Sequence, residues 1–141
     1  STWDSPNNWI FFRYADVLLL YAEAKVELGI IDDTVYDAIN QIRQRPSVNI
    51  PVIEQGKSVN ELREIIRKER AIELAMEGWY YFDLKRWGLL KEMNNGFAIE
   101  NVNTGEIFLT RIWEDYYDLW PIPQSELDNN PNLLPQNPGY N

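Results

Sequence analysis

The chain has 141 residues, 45% of them hydrophobic and 25% charged, enough for one sizeable core and too apolar for a disordered segment. Its net charge of −9 argues against nucleic acid or an anionic membrane as a partner. It contains no His and no Cys, which excludes His-dependent triads, Cys nucleophiles, disulfides and ordinary zinc sites. No cofactor and no metal are expected. No apolar run reaches the ~18 residues that a membrane-spanning helix needs. The chain opens on Ser1-Thr2-Trp3-Asp4, which is not a signal peptide.

Asn7 or Asn8 can cap a first helix over 8–28, and Gly29 is a natural stop for it. Ile10, Tyr14, Val17, Tyr21, Ala24 and Leu28 fall on one face, extended by Phe11, Leu18 and Ala22. Between Val17 and Ala24 the only charge is Glu23, so this helix is expected to be buried on most sides. A second helix starts at Asp32, Asp33 or Thr34 and runs over 34–45, with Tyr36, Ile39 and Ile42 inward. It ends before Pro46, because the residue before proline avoids the α region. The two helices span about 37 residues, near the ~34-residue period of a tetratricopeptide-like pair. One such pair cannot bury both of its faces, so the chain is expected to continue normally on its N-terminal side.

Pro46, Pro51 and Gly56 mark a loop. Ser58 and Glu61 then form a capping box for a third helix over 59–77. That helix presents Leu62, Ile65, Ile66, Ile72 and Met76, with Trp79 and Tyr80 at its end. Gly78 separates it from a short fourth helix over 79–87, which Gly88 stops. Residues 97–102 alternate imperfectly, Asn103-Thr104-Gly105 signals a turn, and 106–113 has strand composition, so a β-hairpin is expected. Five of the eight prolines lie from Pro121 onward, which leaves room for little more than a turn of helix at 125–128. Trp120, Ile122, Leu127, Leu133, Leu134 and Tyr140 are expected to anchor this extended tail. The reading is a mainly α fold. Tetratricopeptide-like helical pairs occupy 1–95, and a small β-hairpin with an extended proline-rich tail, packed on the helices, occupies 96–141.

Charge is divided unevenly between these regions. Residues 1–95 hold 12 basic and 15 acidic side chains, and residues 96–141 hold 1 and 7. The acidic tail fits solubility first, and a cation or basic partner second. Glu114, Asp115 and Asp118 lack the spacing of a calcium loop.

The third helix concentrates charge in an apolar setting. Ile65, Glu69, Ile72 and Met76 share one face, which puts a carboxylate in the middle of an apolar stripe. Glu69, Glu73 and Glu77 repeat at i, i+4 and i+8, a spacing at which like charges repel. Arginines must neutralise them: Arg70 on the same helix, and Arg13, Arg43 or Arg86 from elsewhere. Glu69 is expected to pair with Arg43 or Arg13, giving a structural ion-pair ladder of Glu69, Arg70, Glu73, Glu77, Arg13 and Arg43. The alternative is that two of these carboxylates serve glycoside hydrolysis. Their helical setting, among Arg and apolar neighbours, argues against an open catalytic cleft.

Four motifs in order resemble those of the SusD/RagB family. They are Arg13-Tyr14-Ala15-Asp16-Val17 through Tyr21-Ala22-Glu23-Ala24; Asn40-Gln41-Ile42-Arg43-Gln44-Arg45; and Ile66, Glu69-Arg70, Glu73-Leu74, Glu77-Gly78, Asp83-Leu84 and Arg86-Trp87-Gly88. The fourth is Leu119-Trp120-Pro121-Ile122-Pro123 with Glu126, followed by Pro131 to Tyr140. Pro46 stands where the family usually has Ala. The resemblance implies a non-catalytic, surface-exposed outer-membrane lipoprotein of Gram-negative bacteria. Such a protein serves nutrient uptake and polysaccharide utilisation, handing oligosaccharide to a TonB-dependent transporter. It also implies a longer protein with a signal peptide and a lipidated Cys, of which this chain reads as a C-terminal piece. On that reading the chain is mainly scaffold and partner contact.

Thirteen per cent of the residues are aromatic, and sugars stack on exposed rings. Trp79, Tyr80, Phe82 and Trp87 match framework positions of the family and read as core. Trp113, Tyr116 and Tyr117 lie in the least family-like segment, and are the candidates for a carbohydrate platform, with packing of the tail as the alternative. Without the resemblance, the residues support a second reading as a helical-repeat adaptor that binds another protein.

Overall fold

In the computed structural model, which describes residues 10–140, the chain is mainly helical with one small antiparallel hairpin. Two compact units divide it, residues 1–80 and residues 81–141.

The first unit contains α1 (Tyr14–Glu27), α2 (Asp33–Arg43) and α3 (Val59–Glu73). Helices α2 and α3 each start where a short polar side chain can take an orphan amide. The Asp32 carboxylate accepts from the Thr34 backbone N–H at the start of α2. At α3 the Ser58 hydroxyl accepts from the Glu61 N–H while the Glu61 carboxylate accepts from the Ser58 N–H. The α2 and α3 faces that meet α1 carry Val35, Tyr36, Ala38, Ile39, Leu62 and Ile66, which close on Ala22 and Val26. The loop after α2 is tied back by Asn40. Its amide donates to the Ile53 carbonyl at 3.1 Å and accepts from the Ile53 N–H at 2.6 Å.

Helix α1 differs from its expected form in two ways. Residues 10–13 are not helical, and the helix starts at Tyr14 with Arg13 in an extended conformation at its N-cap. Ile10, Phe11 and Phe12 are β-branched or aromatic and resist the helix. A cap by Asn7 or Asn8 lies outside the described residues. The buried face is also the other one: Ala15, Asp16, Leu19, Ala22, Glu23 and Val26. Tyr14, Val17, Tyr21, Ala24 and Leu28 are exposed. An all-round apolar helix gives periodicity nothing to choose between. Small Ala15 and Ala22, and the charged partner awaiting Asp16, decide the face instead.

Helix α3 ends at Glu73, short of residue 77. Continuing it would require the Glu77 N–H to bond the Glu73 carbonyl. That carbonyl instead accepts from the Arg13 guanidinium, and the Glu77 N–H turns to Leu74 O at 3.2 Å. Met76 takes a left-handed φ of 66° in the resulting turn. The buried stripe of α3 is Leu62, Ile66, Glu69 and Arg70, while Ile72 and Met76 face outward.

The second unit begins within α4 (Trp79–Arg86), continues through α5 (Leu90–Asn94), and then forms the hairpin of β1 (Ala98–Glu100) and β2 (Ile107–Thr110). The register pairs Ala98 with Thr110, Ile99 with Leu109 and Glu100 with Ile107, with an irregularity between the last two pairs. A 3₁₀ turn over Asp115–Asp118, α6 (Gln124–Asn129) and a second 3₁₀ turn over Pro131–Leu133 complete it. Helix α4 buries Asp83 and Leu84. Tyr80 and Phe82, read from the sequence as core, lie on the exposed side of that helix. Leu127 anchors the tail, whereas Trp120, Leu133 and Leu134 are exposed.

The Ser58 cap has a direct test. Ser58→Ala removes one half of the capping box and is expected to destabilise the chain by about 1 kcal/mol in urea unfolding.

Candidate functional site

The charged face of α3 is where the side chains singled out from the sequence converge. Arg70 is 2% exposed and donates from Nη1 to Asp16 Oδ1 at 2.8 Å; Asp16 is 7% exposed. Glu69 accepts from the Arg43 guanidinium. Glu73 takes two arginines, Arg13 at 2.5 Å and Arg45 at 2.7 Å and 3.0 Å. Arg13 also spans to Glu77, with Nε–O distances of 2.9 Å and 3.1 Å. The elements that aim these groups are the N-cap of α1, the C-terminal end of α2 with the residues after it, and one face of α3.

Two members of this network escaped the sequence reading. Asp16 was legible as an acid in the first turn of a mainly apolar helix. Arg45 sits in the Asn40–Arg45 motif two residues beyond Arg43. Arg86, considered as a partner for the glutamates, donates to Asp83 at 2.9 Å and lies over the Trp87 ring.

The electrostatics follow from this crowding. Burial pushes the Glu73 carboxyl up, but the bonds from Arg13 and then Arg45 outweigh it and hold the group below the ordinary carboxylate value. An ionised Glu73 at neutral pH is an acceptor and a poor proton donor.

The second unit holds Trp113, Tyr116 and Tyr117. Their rings meet edge to face: Trp113 on Tyr117 at 5.7 Å, Tyr117 on Tyr116 at 4.8 Å, and Tyr116 on Tyr140 at 5.1 Å. Such pairs each add about 0.5–1.5 kcal/mol beyond burial. All three residues are half-buried, and the rings face each other as much as solvent. Gly139 lies flat against Tyr116: a Cβ there would stand 2.2 Å from Tyr116 Cγ, and its φ of +88° also favours glycine. Gln136 holds the strand-like segment before α6 from both sides. Its amide accepts from the Ile122 N–H and donates to the Ile122 carbonyl, each at 2.8 Å. Asn137 donates to the Trp120 carbonyl at 2.7 Å. Gln136, Asn137, Gly139 and Tyr140 thus each have a packing or bonding reason to occupy the tail motif. Asn40 clamps Ile53 in the first unit by the same amide geometry.

The pH dependence of stability tests the network. The folded Glu73 carboxyl titrates below its unfolded value, so its contribution is present above that value and is lost as pH falls through the folded one. Stability is therefore expected to drop as pH falls below about 4.5, the ordinary value for Glu. Glu27, Asp32 and Glu61 are lowered on the surface by Arg63, Lys25 and Ser58 respectively, and share this direction. Glu73→Gln should destabilise the chain at pH 7 and flatten the acid slope measured by urea unfolding from pH 3 to 7.

The model of the SusD family matches residues 1–140. SusD-like protein P2 of Formosa agariphila is 38% identical over 97% of this chain, and SusD-like protein P38 of the same organism is 34% identical over 89%. The chain spans 27% and 24% of those two curated relatives. A solved SusD-like protein from Bacteroides fragilis superposes over 94% of the chain and 26% of its own length, with a TM-score of 0.78 at 35% identity. A second Bacteroides fragilis structure, described as a SusD-like carbohydrate-binding protein, covers 86% of the chain and 28% of its own length, at a TM-score of 0.73 and 38% identity. Motif order, helical architecture and these matches agree over nearly the whole length: this chain belongs to the SusD family.

Proposed function

We propose that this chain is the scaffold portion of a cell-surface glycan-binding protein, and that it does no chemistry on the glycan. The observation that carries this reading is the state of the three carboxylates on α3 and in the turn after it. Glu69, Glu73 and Glu77 are each held by at least one guanidinium. A glycosidase needs two carboxyl groups facing each other across a sugar, one of them kept protonated by its surroundings. Here the arginines occupy the oxygens a substrate would need, and those on Glu73 also hold its carboxyl below the ordinary value. Membership of a family with a solved carbohydrate-binding member supports glycan as the ligand class. The remaining elements of the proposal come from the family resemblance: a lipid-anchored position on the outer membrane and a TonB-dependent transporter as partner.

A second reading, a helical-repeat surface for another protein, is favoured by one observation. The outer face of α1 leaves Val17, Leu20 and Leu28 exposed. That face suits a packing partner.

Titration calorimetry of the chain against a panel of gluco-, manno- and galacto-oligosaccharides separates scaffold from receptor. The expected result is no saturable binding by a chain shown to be folded by circular dichroism. Saturable binding that disappears in Trp113→Ala would overturn the scaffold reading and place a sugar platform on Trp113, Tyr116 and Tyr117.

A further inference from the structure

Asn95 is followed by Gly96, and no other asparagine in the chain precedes a glycine. Such a pair can react without an enzyme. The Gly96 nitrogen gives up its proton and attacks the Asn95 side-chain carbonyl carbon. A C–N bond forms, the bond to the side-chain nitrogen breaks, and ammonia leaves carrying the proton. Water then opens the succinimide ring at either carbonyl. One opening gives aspartate. The other gives isoaspartate, in which the backbone runs through the side chain and is longer by one methylene. Glycine favours the attack because it has no Cβ to crowd the nitrogen.

The fold restrains both reacting groups. The Gly96 N–H donates to the Arg111 carbonyl at 2.8 Å, which keeps its proton in place. The Asn95 side chain accepts at Oδ1 from the Trp113 N–H at 3.1 Å, which pins it to the segment after β2. Ring closure needs the Gly96 nitrogen to eclipse the Asn95 Cβ, and a ψ of 126° at Asn95 turns it away. These contacts close the base of the hairpin. Arg111 N–H donates to the Phe97 carbonyl at 2.9 Å, and the Arg111 guanidinium donates to Asn94 Oδ1 at 2.9 Å while lying over the Phe97 ring. The Asn95 amide therefore extends the pairing one step past the backbone. Asn95 and Gly96 are both exposed, so water reaches them whenever the base opens.

We propose that Asn95-Gly96 is a latent deamidation site that the closed hairpin base guards, and that conversion to isoaspartate keeps the base from closing again. The added methylene moves Asn95 Oδ1 and the Gly96 N–H relative to one another, so both bonds across the base cannot be kept. The new carboxylate also joins a region, residues 96–141, with seven acidic side chains and one basic. This inference does not depend on the glycan reading.

The test is incubation of the wild-type chain at pH 8, folded and in urea, with deamidation at residue 95 followed by peptide mass mapping. The folded chain is expected to convert at least tenfold more slowly. Trp113→Pro, which lacks the N–H that Asn95 accepts, should convert faster than wild type while folded by circular dichroism. Trp113→Ala keeps that N–H and should convert at the wild-type rate. The isoaspartate form, separated by anion exchange, should lose hydrogen-exchange protection at the Gly96 amide. Asn95→Asp retains an acceptor for Trp113 and should keep it. Equal rates in the folded and unfolded chain would overturn the proposal. So would a folded Trp113→Pro chain that converts no faster, or an isoaspartate form with a protected Gly96 amide.

Discussion

The buried pair of Asp16 and Arg70 is the constraint around which the first unit is built. Its Nη1–Oδ1 distance is 2.8 Å, and both side chains are almost inaccessible to water. Ion pairs at this depth contribute little net stability compared with apolar residues of the same shape, because desolvating each charge costs several kcal/mol. Their value lies in specificity. Separating the partners takes the buried Asp16 carboxylate away from its cation, so arrangements of α1 on α3 that do not align Asp16 with Arg70 are strongly disfavoured. That selection matters here because α1 is apolar on nearly every side and hydrophobic burial alone would accept several rotations.

The remaining charges build outward from this pair. Arg43 brings the end of α2 to Glu69, and Arg45 brings the residues after it to Glu73. Arg13 reaches from the start of α1 to Glu73 and Glu77, and it also takes the free Glu73 carbonyl at the end of α3. The arrangement explains how Glu69 and Glu73 on α3, with Glu77 in the turn after it, sit close together without net repulsion. It explains as well why those glutamates are poor candidates for acid–base chemistry: each is committed to a cation that the fold requires. The second unit has a different economy. It relies on side-chain amides that read backbone, as Gln136 does at Ile122, and on edge-to-face rings that end at Tyr140 and Gly139.

Local signals made much of this fold legible. The Ser58–Glu61 capping box, the proline before which α2 stops and the Asn103-Thr104-Gly105 turn are interactions between residues a few positions apart, so they are visible in sequence. The misread features depend on distant partners. The Glu73 carbonyl at the end of α3 is taken by Arg13, sixty residues away along the chain. The inward face of α1 is set by Arg70, and no periodicity encodes it. Phe82 and Tyr80 looked like core because they are large and aromatic, yet α4 turns Asp83 and Leu84 inward. For the candidate platform, sequence brought Trp113, Tyr116 and Tyr117 together as neighbours. It gave no sign that Tyr140 and Gly139 would close on Tyr116 from the other end of the tail.

The central claim is that buried charge pairing specifies how the helices meet. A double-mutant cycle on Asp16→Asn and Arg70→Met, read by urea unfolding at pH 7, tests it most directly. The account predicts that Asp16→Asn, which leaves Arg70 buried against a neutral partner, costs about 3–5 kcal/mol. The double variant should be less destabilised than the sum of the singles by about 1–3 kcal/mol. Additive effects, or an Asp16→Asn chain as stable as wild type, would contradict it.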